Sequence, residues 1–193
     1  GSGGVSYTWG NGVSNGVPIP VTNTTTYTVT GTDANGCENT DEVIVSVNAL
    51  PLVDAGADQA VCNGNSVTIS GSGATSYTWD NSVSDGVAFT PTSTATYTVT
   101  GTDGNGCVNS DQVVVTVNAL PTVSAGLDVA VCTGDSTVLN GSGAVSYTWD
   151  NGITDGVHFM PVTANTYTVT GTDGNGCENT DQVAITINSL PTV

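Results

Sequence analysis

The sequence predicts an all-β chain made of small two-sheet sandwiches in tandem. Three observations carry that prediction. A 70-residue pattern recurs without insertion or deletion. Short runs rich in Thr and Val alternate apolar and polar residues between Asn-Gly and Asp-Gly turns. No window of 11 residues shows the apolar spacing of a helix.

The repeat is read directly from the residues. Tyr7-Thr8-Trp9 returns as Tyr77-Thr78-Trp79 and Tyr147-Thr148-Trp149. The run from Thr26 to Asp33 returns at Thr96 to Asp103 and at Thr166 to Asp173. Asn48-Ala49-Leu50-Pro51 returns at Asn118 and, as Asn188-Ser189-Leu190-Pro191, at Asn188. With boundaries at these prolines, residues 51–120 and 121–190 are complete units. Residues 1–50 are a partial unit lacking its first two strands, and 191–193 begin a further unit. The missing strands are expected to precede Gly1 in a longer parent or to come from a partner. Without them the first unit should expose apolar faces and be poorly ordered.

The strands of unit 51–120 follow in order. Val53 and Ala57–Val61 read as a split first strand, and Ser66–Ser70 turns Val67 and Ile69 inward. Ser76–Asp80 carries Tyr77 and Trp79 on one face, and Val87 with Phe89 marks a middle strand. Thr96–Gly101 buries Tyr97 and Val99, and Gln112–Asn118 buries Val113, Val115 and Val117. Asn63-Gly64, Asp85-Gly86 and Asn105-Gly106 supply the turns. Six to seven short strands in 70 residues suit a two-sheet sandwich. Tyr97, with Tyr27 and Tyr167, is expected to be a corner tyrosine bonded to nearby backbone.

The run Asp54 to Gly64, then Tyr77-Thr78-Trp79, then Tyr97 to Cys107 resembles bacterial immunoglobulin-like and PKD-like repeats. The Cys-bearing form is similar to repeats of very large secreted surface proteins of gliding and polymer-degrading bacteria. The resemblance covers essentially the whole chain. It implies tandem immunoglobulin-like β-sandwiches, a stalk or adhesin segment, and an extracellular or cell-surface setting. It implies no ligand. The chain departs from ordinary members in having no basic residue.

Composition excludes several functions. Lys and Arg are absent against 17 Asp plus Glu, a formal net charge of −17. Such a chain cannot neutralise phosphates, so no nucleic-acid partner is expected. It cannot dock on anionic lipid, and no apolar run approaches the ~20 residues that span a bilayer. Isopeptide cross-links, Schiff bases and arginine clamps are excluded with the missing cations. His158, the single His, aligns with Ala88, so no repeated catalytic constellation can use it. The chain is read as non-enzymatic.

Four features remain as candidate sites. The Trp at 9, 79 and 149 could stack on sugars, but strand alternation favours the core. Thr94, Thr96, Thr98, Thr100 and Thr102 form a period-two ladder. Ordinary wet-face threonines rank first there, then a contact surface between filaments or for O-linked sugar, then ice binding. Asp33, Asp103 and Asp173 open Asp-x-Asn-Gly turns similar to the start of a calcium loop, with Glu38 and Glu178 following in two copies. A hairpin turn ranks above a metal site, and calcium is the one cofactor left open. Asp54, Asp58 and Asp111 are weighed as further divalent ligands. The sequons at Asn23 and Asn140, and Asp135-Ser136-Thr137, do not recur in the repeat and carry little.

The fourth feature is the cysteines, at 37, 62, 107, 132 and 177. Pairing within units would join Cys62 to Cys107 and Cys132 to Cys177. In a sandwich those turns lie at opposite ends, separated by a last strand of about seven residues, ~23 Å, while a disulfide needs Cα atoms within ~7 Å. A head-to-tail rod favours Cys62–Cys177 between units, with free thiols as a third arrangement. Leu50, Leu120 and Leu190 are expected to bury at stiff, Gly-free junctions. The expected role is a structural or adhesive repeat of an extracellular filament or giant surface protein. Its partners are neighbouring repeats of the same or identical chains, with filament self-assembly. The competing reading is a carbohydrate- or surface-binding module attached to a secreted hydrolase.

Overall fold

The computed structural model describes residues 3–193. The chain is all-β, and its strands repeat with the sequence. β1 (Ser6–Trp9), β2 (Thr25–Thr32) and β3 (Glu38–Val45) form a three-stranded sheet in that order. β4 (Gln59–Cys62), β5 (Ser76–Trp79), β6 (Ala95–Thr102) and β7 (Val108–Asn118) form a sheet of order β4-β7-β6-β5. β8 (Val129–Cys132), β10 (Ser146–Trp149), β12 (Asn165–Thr172) and β13 (Glu178–Asn188) repeat it as β10-β12-β13-β8. Between them β9 (Thr137–Val138) pairs with β11 (His158–Phe159) as a second layer. In the preceding unit the same layer is reduced to the bridge Val67↔Phe89, which exchanges main-chain bonds of 2.8 and 2.9 Å.

Register is kept from unit to unit. Trp9, Trp79 and Trp149 lie opposite Val29, Val99 and Val169. The reason is local. Each long hairpin turns at an Asp-x-Asn-Gly loop whose last Gly sits at positive φ, 82° at Gly36, 81° at Gly106 and 79° at Gly176. β4 and β8 join the far edge in parallel, Gln59 opposite Val115 and Val129 opposite Ile185.

The alternation of β6 and β7 produces the core. Val99, Val113 and Val115 are fully buried, facing Val67 and Ile69 of the opposite layer. Val169, Val183 and Ile185 face Leu139 in the same way. Trp79 and Trp149 close one side at 9% and 8% exposure. Phe89 packs on Tyr97 with ring centroids 5.1 Å apart, and Phe159 on Tyr167 at 5.4 Å.

The first unit has the sheet without the facing strand. Val43, equivalent to Val113, is 44% exposed, and a groove of about 290 Å³ runs past Trp9, Ile19, Tyr27 and Val45. Three expectations need correction. Leu50, Leu120 and Leu190 are exposed at their junctions, and the buried residues there are Pro51 and Pro121. The corner tyrosines are Tyr7, Tyr77 and Tyr147. The Tyr77 hydroxyl accepts from the Ala74 amide and donates to the Ala74 carbonyl, both at 2.7 Å. Tyr97 instead points its ring at Phe89, because its strand position faces the core. Val87 is exposed, so the middle strand contributes only Phe89 to the interior.

Matched substitutions should separate the covered and uncovered sheets. Val113→Ala removes two buried carbons and should cost about 2 kcal/mol or more. Val43→Ala, at the same repeat position, should cost under about 0.5 kcal/mol. Urea unfolding of the two variants checks this.

Candidate functional site: a cystine joint between repeats

Cys62 ends β4, and the parallel register sets it opposite Asn118, the last residue of β7. The Asn63 amide donates to the Asn118 carbonyl at 2.8 Å, fixing the turn to that end. Cys62 therefore lies where the chain leaves for the next unit. Cys177 lies at the base of the β12–β13 hairpin. The Asp173 carboxylate accepts the amides of Asn175 at 2.8 Å and Cys177 at 2.9 Å, and the Asp173 amide donates to the Cys177 carbonyl. Asn179 donates its side-chain amide to the Pro121 carbonyl at 2.9 Å, so this hairpin sits at the entry to its unit.

Two consecutive units thus present sulfur to each other, and the structure joins Cys62 to Cys177. Their Cα atoms are 5.5 Å apart across 115 positions of sequence. Cys177 is fully buried. The within-unit pairs are not made. Cys107 precedes the first residue of β7 and Cys62 faces its last, 11 residues on. That strand length is ~30 Å or more, far beyond the ~7 Å a disulfide spans. Cys132 and Cys177 are separated by β13 in the same way. Cys37, Cys107 and Cys132 are free thiols, Cys37 and Cys132 being exposed.

The carboxylates have a common occupation. With no Lys or Arg in the chain, every aspartate but Asp135 accepts a main-chain N–H. Asp111 takes the Ala55 amide and Asp181 the Ala125 amide, each at 2.8 Å. Asp58 takes the Val114 amide and Asp128 the Ala184 amide, each at 2.8 Å. These four bonds lace the first segment of each complete unit to its last strand. Asp85 and Asp155 each accept both a backbone amide, from Gly71 and Gly141, and the indole N–H of Trp79 and Trp149. That role was missed in the sequence, although an Asp or Asn six residues after each Trp was its signal.

The loop aspartates follow the same pattern. The Asp33, Asp103 and Asp173 side chains cap their own loops, with Oδ1 on the amides of the residues two and four further on. Asp54 accepts the Gly56 amide. Among the described residues no group of three or more acidic, His or Cys side chains is gathered to hold a metal ion. Bonding to the Cys37, Cys107 and Cys177 amides holds the carboxyls of Asp33, Asp103 and Asp173 below the ordinary aspartate range. The Ala55 and Ala125 amides do the same for Asp111 and Asp181.

Thr96, Thr98, Thr100 and Thr102 alternate along β6. Thr94 lies before β6, and its hydroxyl accepts the Val117 amide at 2.9 Å, while Thr98 accepts from the Gln112 side chain. Thr96 is exposed, and Thr98, Thr100 and Thr102 are half-buried. His158 is exposed on β11. Among the described residues no helix is long and apolar enough to cross a membrane.

No family model matches the chain, and no curated protein matches it. Among solved structures the chain is similar to immunoglobulin domains 1–4 of Sidekick-1, at 14% identity and a TM-score of 0.37, over 95% of this chain and 67% of that one. It is similar to the insect immune protein hemolin at 16% identity and a TM-score of 0.38, over 84% of this chain and 56% of hemolin. A Ca2+-stabilized adhesin with which an Antarctic bacterium binds ice matches at 16% identity and a TM-score of 0.40, over 87% of this chain and 57% of the adhesin. No ligand or partner passes from these proteins to this chain.

Two outcomes follow from the site. Digestion at acidic and aromatic residues without reduction should yield Cys62 joined to Cys177, and mass spectrometry should find no Cys62–Cys107 peptide. Stability should also fall on acidification. A carboxyl held below its ordinary value stabilises the fold above that value, and the contribution is lost as pH falls through the folded one. Urea midpoints should hold to about pH 5 and drop below about pH 4. Asp111→Asn should blunt the drop, whereas Asp135→Asn, with the same charge change, should not.

Proposed function

We propose that the chain is a structural and adhesive segment of an extracellular filament or large cell-surface protein, in which successive immunoglobulin-like units are locked into a stiff stalk. The observation that carries this reading is the Cys62–Cys177 bond, which ties consecutive units across a short junction. Residues 51–120 and 121–190 act as the complete units, and 1–50 as a partial one. The junction Asn118-Ala119-Leu120-Pro121 has no Gly, and Pro121 is buried, so the connection has little freedom to begin with. The disulfide removes more, and it favours an oxidising, extracellular setting. A bridge of this kind also redirects load. Tension entering before Cys62 can leave after Cys177 through the sulfur–sulfur bond without passing along the strands between.

The uniform negative charge supports the same role. It keeps separate stalks apart in solution, where net repulsion opposes collapse and aggregation. The Cys-bearing bacterial immunoglobulin-like or PKD-like type is the family pattern this reading favours. A carbohydrate-binding role finds no support in the aromatics, because Trp79 and Trp149 are buried with their indole N–H groups bonded to Asp85 and Asp155.

Small-angle scattering of the oxidised 193-residue chain should give a narrow distance distribution, and reduction should broaden it while far-UV circular dichroism stays unchanged. A broad distribution in the oxidised chain would contradict the stalk, and specific binding on a glycan array would favour the carbohydrate-binding module instead.

A further inference from the structure

An Asn-Gly pair carries its own nucleophile and electrophile. The Gly nitrogen can attack the Asn side-chain amide, and Gly has no side chain to stand in the way. Eight such pairs occur in the chain. The fold engages seven of them. In the three hairpin loops the Gly36, Gly106 and Gly176 amides donate to the carbonyls of Asp33, Asp103 and Asp173, at 3.2, 3.1 and 3.2 Å. The Gly141 amide donates to the Asp155 carboxylate at 2.7 Å. In the other three the Asn side chain is held. Asn11 donates to the Thr26 carbonyl at 3.2 Å, Asn151 donates to the Asp150 carboxylate at 3.0 Å, and Asn15 accepts the Trp9 indole N–H at 3.1 Å. Each of these bonds must break before nitrogen and amide carbon can meet.

Asn63-Gly64 is the eighth pair. It fills the two central positions of a turn closed by the Asn65 amide on the Cys62 carbonyl at 3.0 Å, with Gly64 at φ 91°, as in a type II turn. The closing bond of such a turn uses neither group of its central peptide. Among the described residues the Gly64 amide and the Asn63 side chain have no hydrogen-bond partner. Both residues are exposed, and an added Cβ at Gly64 would meet no atom within 4 Å. The third unit has Thr133 at this place, which carries no amide.

The neighbour of this pair is the cystine joint. Cys62 directly precedes Asn63, is half-buried, and is bonded to the fully buried Cys177. The Asn63 amide donates to the Asn118 carbonyl at 2.8 Å. That bond and the turn bond hold Cys62 at the end of β7.

We infer that Asn63-Gly64 is a self-modifying site, and that its conversion to isoaspartate loosens the turn and opens the Cys62 sulfur to thiols. The second half rests on the reading of Cys62–Cys177 as the lock between consecutive units. The Gly64 nitrogen loses its proton to solvent base and bonds to the Asn63 Cγ. The bond from Cγ to Nδ2 breaks, and Nδ2 leaves as ammonia with a proton returned by solvent. Water then opens the five-membered imide. Opening at the side-chain carbonyl gives aspartate, and opening at the main-chain carbonyl gives isoaspartate. No electrons are transferred. Isoaspartate places one more carbon in the main chain between Cys62 and Asn65, so the turn cannot close as before. Thiols then attack at Cys62, because Cys177 is fully buried.

The test ages the oxidised 193-residue chain in warm, mildly alkaline buffer and maps the products by digestion and tandem mass spectrometry. Asn63 should convert at least tenfold faster than any other Asn-Gly pair of the folded chain, whereas in urea the eight should convert at similar rates. Asn63→Thr, which carries the third unit's own residue, should keep the Cys62–Cys177 bond and release less ammonia. Dithiothreitol should reduce that bond at least threefold faster in the aged chain than in the fresh one, and at an unchanged rate in aged Asn63→Thr. Conversion spread evenly over the eight pairs of the folded chain, or slowest at Asn63, would overturn the site. An aged bond reduced at the fresh rate would overturn its effect on the joint. If the fresh chain yields no Cys62–Cys177 peptide, the stalk reading falls together with that effect, while the rate at Asn63 still decides the site.

Discussion

The fold depends on carboxylates that have no cation to meet. In a chain without Lys or Arg, each aspartate must be solvated or bonded to a neutral donor, and here the donor is the backbone. Charge-assisted bonds of this kind are stronger than neutral ones and need no second side chain to be ordered. They also fall where strand pairing cannot reach. Asp111 and Asp58 hold the first segment of a unit to its last strand, and Asp103 closes the hairpin between the last two strands. The same residue type therefore sets loop shape, sheet edge and layer contact.

The cystine joint is a consequence of that ordering. Cys177 reaches its partner because Asp173 fixes the loop in front of it, and Cys62 because the parallel pairing of β4 carries it level with the end of β7. The sulfur atoms meet only between units, since within a unit the long strand holds its two cysteines apart. A sandwich whose edge strand ran antiparallel to β7 would bring Cys62 toward the opposite end, and the clamp would be lost.

Much of this was legible in the residues. The 70-residue period located each strand, because period-two alternation around Tyr97, Val99, Val113 and Val115 leaves one face to bury. The opposition of Cys62 and Cys107 followed from strand direction alone. What stayed hidden has physical causes. Leu120 reads as a buried apolar residue, but burial at a junction depends on how two units meet, and there Pro121 takes the inner position. Tyr77 and Tyr97 both occupy alternating strand positions, and only the position of Ala74 beside the Tyr77 ring shows which hydroxyl finds a backbone partner. The turn at Asp103-Gly104-Asn105-Gly106 was legible from its Asn-Gly pair, whereas the bonds from the Asn105 and Cys107 amides to the Asp103 carboxylate depend on the direction of that side chain.

The central claim is that one covalent bond carries load past two folded units. Stretching the oxidised 193-residue chain by its ends in a force spectrometer tests it most directly. With Cys62 joined to Cys177, the residues between them are shielded. Adding reductant should release a further contour length of about 40 nm, from 115 positions at ~3.6 Å each. Full extension of the oxidised chain, with no gain on reduction, would contradict the account.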